Sequence, residues 1–185
     1  VVSAESASVI GLQGMGRGIV NVTDADSALT TDNLSIGGSG SGTLTLDNNG
    51  RVEVAESTHL GEDISAAGSL DISSNSTFAT KDLVVGNNGS ATVNLNSKGV
   101  LSTESLVRAT SATSNSVVNF DGGTLRLTAD QDALFNGFGG FGESSINVKA
   151  GGANIDTQGF NTKVVNSAVI TGAGDFAKEG TGLLA

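Results

Sequence analysis

The side chains able to do chemistry are few in this chain, and their spacing limits what that chemistry could be. His59 is the single histidine, so any Ser-His-Asp constellation or imidazole-based metal site must use it. It opens "STHLGED", a context that reads as a solvated turn. Paired carboxylates occur as Asp24 with Asp26, Glu62 with Asp63, and Asp130 with Asp132. Clustered acids of this kind, with calcium and a basic residue, serve polysaccharide cleavage on some β-helical enzymes. If 24–26 were extended, both aspartates would share one face. "TDAD" reads instead as a turn, in which Asp bonds its own backbone. The glycine clusters "GMGRG" (14–18) and "GGSGSG" (37–42) invite comparison with phosphate-binding loops, but neither leads into a helix carrying Lys-Ser/Thr. "GGSGSGTLTLDNNG" lacks the Asp of a calcium-binding nonapeptide. Four Asn-x-Ser/Thr triplets, at Asn21, Asn33, Asn75 and Asn88, are expected by chance in so Ser/Thr/Asn-rich a chain. The sequence therefore assigns no catalytic residue, no metal ligand and no cofactor.

Composition narrows the class further. The 185 residues suffice for one domain, and 27 of them are glycine, with no Pro, Cys, Trp or Tyr. Mean hydropathy is slightly positive, too apolar for a solvated coil. A formal charge of −10, with Lys and Arg scattered singly, leaves no basic stripe to neutralise phosphates. Nucleic-acid binding is disfavoured on that ground. Without cysteine there are no disulfides and no thiolate zinc sites. No run reaches the length of a membrane-spanning helix, and "VVSAESASVI" lacks the plan of a signal peptide. The chain reads as a segment of something larger.

The elements that would carry these residues repeat. "LSIGGSGSGTLTLDNNGRVEV" (34–54) and "LVVGNNGSATVNLNSKGVLST" (83–103) align without a gap, and "HLGEDISAAGSLDISSNSTFA" (59–79) follows more loosely. Leading leucines at Leu34, Leu60, Leu83 and Leu106 are spaced 26, 23 and 23. Middle pairs Leu44/Leu46, Leu70/Ile72, Val93/Leu95 and Val118/Phe120 follow at 26, 23 and 25. Apolar residues two apart share one strand face, and the Thr, Ser, Asn and Asp between them point outward. Each unit reads as three short strands joined by Gly/Asn corners. A propeller blade needs about 40 residues, so the repeat is too short for one. A β-solenoid fits: one coil cannot bury enough to offset ordering its backbone, but stacked coils share a continuous core. Equivalent Asn or Thr residues are expected to form ladders at the corners.

On these residues rests a resemblance. "VNVTDADSALTTDNLSIGGSGSGTLTLDNNGRVEV" (20–54) resembles repeats in the passenger domains of Gram-negative autotransporters, the type V secretion family. "VVNFDGGTLRLTADQDALFNGF" (117–138) and "VKAGGANIDTQGFNTKVVNSAVITGAGDFAKEGTGLL" (148–184) look like the autotransporter-associated strand repeat. The resemblance implies a right-handed parallel β-helix with three short strands per coil of 23–26 residues. It implies one β-helical segment over 1–185, with LxIGxxGxGTLTL-type repeats at 20–114 and a GGTLR…GGANIDT…KEGTG-type repeat at 115–185. It further implies a non-catalytic adhesin acting in attachment, cell–cell aggregation or biofilm growth, at the cell surface or secreted. Its partners would be a protein or glycan receptor on a host or neighbouring cell, or a second copy, with the membrane reached only through a C-terminal barrel outside this chain. A polysaccharide lyase or hydrolase on the same scaffold is the alternative.

One stretch belongs to neither repeat. "DALFNGFGGFGESSI" (132–146) sets Phe135, Phe138 and Phe141 three apart among glycines, which is not strand alternation. Phe135 and at least one of the other two are expected to cover the core where the two repeat types meet. A ring left outside, Phe138 or Phe141, is the candidate surface contact.

Overall fold

A computed structural model describes residues 1–109, 115–139 and 144–185; Phe141 lies outside them. The described residues form strands and turns, and none of them forms a helix long and apolar enough to cross a membrane. The strands alternate between two long sheets. The first stacks Val2–Ile10, Ala28–Ile36, Arg51–Leu60, Thr77–Val85, Val100–Thr103, Gly123–Leu127, Ala153–Asp156 and Phe176–Glu179, with Ser105–Val107 also on Thr77–Val85. The second is seven strands deep: Arg17–Thr23, Ser41–Asp47, Ala67–Ile72, Ser90–Asn96, Ser116–Asp121, Ser145–Val148 and Ile170–Gly172. Gln131–Leu134 and Thr162–Val164 make a short third sheet. Strands pair in parallel with their counterparts one coil away, so the chain is a parallel β-solenoid.

The middle pairs stack as their spacing predicts. Leu44, Leu70, Val93 and Val118 form one inward column and Leu46, Ile72, Leu95 and Phe120 the next, all buried. Both columns continue to Ile146 and Val148. Val52, Phe78, Leu101, Leu125 and Ile155 line the first sheet's inner side. Of the leading leucines, Leu83 and Leu106 pair as aligned, but Leu60 does not stack on Leu34 or Leu83. Leu34 pairs with Thr58, and Thr58 with Leu83, while Leu60 sits over Ile36. A slip of two residues preserves which face a side chain occupies, so apolar pattern alone cannot detect it. Thr58 escapes notice because a hydroxyl fills a core position, fully buried, with its Oγ1 3.0 Å from Thr80 Oγ1.

Three sides per coil are made with fewer strands than three, because two sides are often one bent strand. The bend falls where the register shifts, between Thr31 and Leu34 and between Val54 and Ser57. Buried threonines hold this corner. Thr31 Oγ1 donates to Ser6 O at 2.6 Å and lies 3.1 Å from Asn33 O. Thr80 makes the same contacts to Glu56 O and Asp82 O, and Thr103 to Lys81 O and Ser105 O. Each hydroxyl thus serves a carbonyl of its own coil and one of the coil before, where the bulge leaves acceptors unpaired. The opposite corner turns at Gly11, Gly37, Gly61 and Gly86, whose φ values of 77°, 75°, 61° and 74° are left-handed. Of the clusters that resembled phosphate loops, Gly37 takes this conformation, whereas Gly40 and Gly42 sit where a Cβ would run into neighbouring backbone.

Candidate functional site

The sequence's candidate residues do not converge. His59 lies in the strand Arg51–Leu60, half-buried between Ser35 and Val84 of adjoining coils, and not in a turn as its context suggested. Asp24 does occupy a turn, at φ 75°, where its carboxylate accepts from Asn48 Nδ2. Glu62 and Asp63 sit on the glycine corner and accept from Ser35 and Ser39 of the preceding coil. Asp130 accepts from the Asn161 N–H at 2.7 Å, and Asp132 is exposed on Gln131–Leu134. Asp24, Glu62, Asp63 and Asp130 each tie one coil to another, and the three pairs lie at separate places on the solenoid. Among the described residues, no three His, Cys, Asp or Glu side chains group to hold a metal ion.

Phe138 is corrected by the structure: it is fully buried, as is Phe135, so it is not a surface contact. The rings meet edge to face at a centroid distance of 6.5 Å. Apolar area and the favourable edge-to-face quadrupole both draw the second ring inward.

Asp156 shows what the acids do energetically. Burial by itself raises its pKa, but the Gln158 N–H, the Arg126 guanidinium and the Gln158 side chain outweigh that and hold it below the usual 3.8. Arg126 Nε donates to Oδ2 at 3.1 Å, the Gln158 backbone N–H to Oδ1 at 3.1 Å, and Gln158 Nε2 to Oδ2 at 2.6 Å. A carboxylate depressed in the folded state contributes stability that is present above its unfolded pKa and lost as pH falls through the folded one. The wild type is therefore expected to lose urea stability more steeply than Asp156→Asn below about pH 4, while the two curves run parallel above about pH 6. Parallel curves throughout would show that Asp156 is not held in this way.

What the molecule presents coherently is the outer face of the second sheet. Asp71, Asn94, Asn119 and Asn147 stand in one outward column, with Thr45 and Asn21 before them and Thr171 after. Their hydrogen bonds run in one direction. Thr171 Oγ1 donates to Asn147 Oδ1 at 2.8 Å, Asn147 Nδ2 to Asn119 Oδ1 at 3.1 Å, and Asn119 Nδ2 to Asn94 Oδ1 at 2.8 Å. Asn94 Nδ2 then donates to the Asp71 carboxylate. Aligned amide dipoles ending on an anion polarise one another, which strengthens and straightens the row. Beside it runs a second column of Ile19, Thr43, Ser69, Thr92, Val117 and Ser145. A shallow groove of about 320 Å³ follows this column, lined by Thr43, Ser69 and Thr92 with Gly42 and Gly68.

The sequence expected such ladders at corners, and the structure places this one at mid-strand. Corner loops differ in length, 37–40 against 61–66, so their residues drift out of register, whereas the residue between two core side chains is fixed by them. The signal was present in the aligned triplets Leu44-Thr45-Leu46, Leu70-Asp71-Ile72, Val93-Asn94-Leu95 and Val118-Asn119-Phe120.

No protein-family model, curated protein or solved structure matches this chain.

Proposed function

We propose that this chain is a non-catalytic segment of an autotransporter passenger, displayed at a Gram-negative cell surface or secreted, acting in adhesion, cell–cell aggregation or biofilm formation. The observation carrying this reading is the second sheet's outer face. It offers two registered columns of short side chains, mostly hydroxyls and amides, whose geometry is fixed by the core beneath them. Many weak contacts repeated along one axis suit attachment, in which affinity accumulates by number. The resemblance of residues 20–54, 117–138 and 148–184 to passenger repeats supports the same reading.

The test pairs two measurements. Beads coated with the chain are expected to attach to bacterial or host cells. Incubation with a panel of acidic polysaccharides is expected to release no product. Product formation that disappears in Asp130→Asn or Asp24→Asn would overturn the non-catalytic reading in favour of a polysaccharide-acting enzyme.

A further inference from the structure

We propose that the outer face of the second sheet binds crystalline water, and that its ligand is the surface of ice. This goes beyond the adhesive reading and does not depend on it.

The composition of the face is the first argument. Its two central columns hold neither an aromatic ring nor an Arg, the anchors from which macromolecular interfaces draw most of their strength, and Asp71 is their one ionisable side chain. The Asp71 carboxylate is already engaged by Asn94 Nδ2 and by Ser69 Oγ at 3.2 Å. What remains is an array of hydroxyls, amides and methyl groups with no focal point. Such an array binds by repetition, so it suits a partner that repeats as it does.

Spacing is the second. Neighbouring rungs lie about 4.8 Å apart and residues two apart along a strand about 6.6 Å, so Thr43, Ser69 and Thr92 with Thr45, Asp71 and Asn94 form a rectangular grid. Tetrahedral water with an O···O distance of about 2.75 Å places next-nearest oxygens of ice about 4.5 Å apart and repeats about every 7.3 Å along the hexagonal axis. The rung mismatch of about 0.3 Å accumulates to about 0.6 Å from Thr43 to Thr92. Hydroxyl rotation and small displacements of water absorb a drift of that size. The other mismatch, about 0.7 Å, arises once, because two columns have a single interval between them.

Flatness is the third. Long sheets ordinarily twist, and side-chain ladders are among the features that hold them flat. Here the row from Thr171 through Asn147, Asn119 and Asn94 to Asp71 ties five consecutive rungs. Both columns are half-buried from Thr43 and Thr45 to Ser145 and Asn147, so no side chain stands above its neighbours and a plane can meet them together. The core columns beneath fix their positions, which leaves little to be ordered on binding.

Single positions supply the chemistry. The Thr43 and Thr92 hydroxyls bond to no other group among the described residues, so both can join a water network. The groove of about 320 Å³ beside them, floored by Gly42 and Gly68, would seat a file of bridging waters along the rungs. Methyl groups of Thr43, Thr92 and Val117 stand among these hydroxyls, where neighbouring water is restricted in orientation.

Slow freezing of a dilute solution onto a cold finger tests this, because a solute that binds ice enters the solid and any other stays in the liquid. The wild type is expected to be enriched in the ice, and its solutions to show a gap between melting and freezing points. Thr43→Tyr/Thr92→Tyr raises two rings above the plane, two coils apart. Thr77→Tyr/Thr124→Tyr places the same rings at the same spacing on the first sheet. The first pair is expected to lower the ice-bound fraction at least about tenfold, since rings above the plane forbid simultaneous engagement, and the second to leave it near the wild type. Ser69→Tyr, a single change on the intervening rung, is expected to act as the first pair does, and carries the comparison if that pair melts early. A wild type left in the liquid, or equal loss from both pairs, overturns the proposal. Beads that attach to cells while the wild type stays in the liquid would overturn ice binding and leave the adhesive reading standing. A chain taken up by ice whose beads attach to no cell would do the reverse.

Discussion

Replacing Phe138 by alanine is expected to lower the free energy of unfolding by about 3–5 kcal/mol, the range for truncating a buried Phe. The ring is fully buried and meets Phe135 edge to face, a geometry adding about 0.5–1.5 kcal/mol beyond area. Collapse around the vacated space is restricted because the backbone on either side is already close to other chain. Gly137 has φ 85° and a Cβ there would meet Arg108 O at 2.5 Å; Gly139 has φ 99° and a Cβ there would meet Ser167 O at 1.9 Å. Ile64→Ser is the matched control, since Ile64 is 84% exposed and its loss should stay within about 0.5 kcal/mol. Equal urea midpoints for the two variants would contradict the interior placement of Phe138.

Gly42→Ala is expected to cost about 3 kcal/mol or more, above the usual range for inserting a methylene into a packed site. A Cβ at Gly42 would lie 2.3 Å from Gly37 N and 2.4 Å from Ile10 O, both backbone atoms. Neither can rotate away, so the two sheets must part where the chain turns between them. Gly68, stacked on Gly42, has the same problem with Ile36 O at 2.3 Å. Gly14→Ala provides contrast, because the nearest atom to its Cβ is Ser39 O at 3.8 Å. Thermal unfolding of both variants measures the difference, and similar melting temperatures would show that the sheets tolerate wider spacing.

The fold was legible wherever strict alternation met a fixed coil length. Leu44, Leu70, Val93 and Val118 are all Leu or Val in matching surroundings, and their stacking follows from spacing alone. Legibility failed where a polar residue took a core position or a core residue took loop spacing. Thr58 hides the true start of its coil, and His59, at the opening of its repeat in "STHLGED", reads as a turn residue although it lies within a strand. Phe138 could be read either way, since a ring among glycines is compatible with burial or protrusion and only packing decides. The ladder on the second sheet's outer face was least visible. Asn94 and Asn119 are ordinary outward residues in sequence, and become a directed row only when parallel register places each amide over the next.

Parallel register at one coil's remove has a kinetic consequence. Leu44 and Leu70 meet across 26 residues, and Leu70 and Val93 across 23, so every rung closes a loop of nearly the same size. Closure entropy depends only weakly on loop length and is nearly constant here from one rung to the next. Forming the first stacked pair is the costly event, and each later coil adds to an existing template. Assembly then becomes nucleation followed by propagation, advancing as each new stretch of some two dozen residues becomes free to move. A chain built this way can grow in length without growing slower to fold per coil, and can finish its early rungs while its later ones are still held elsewhere.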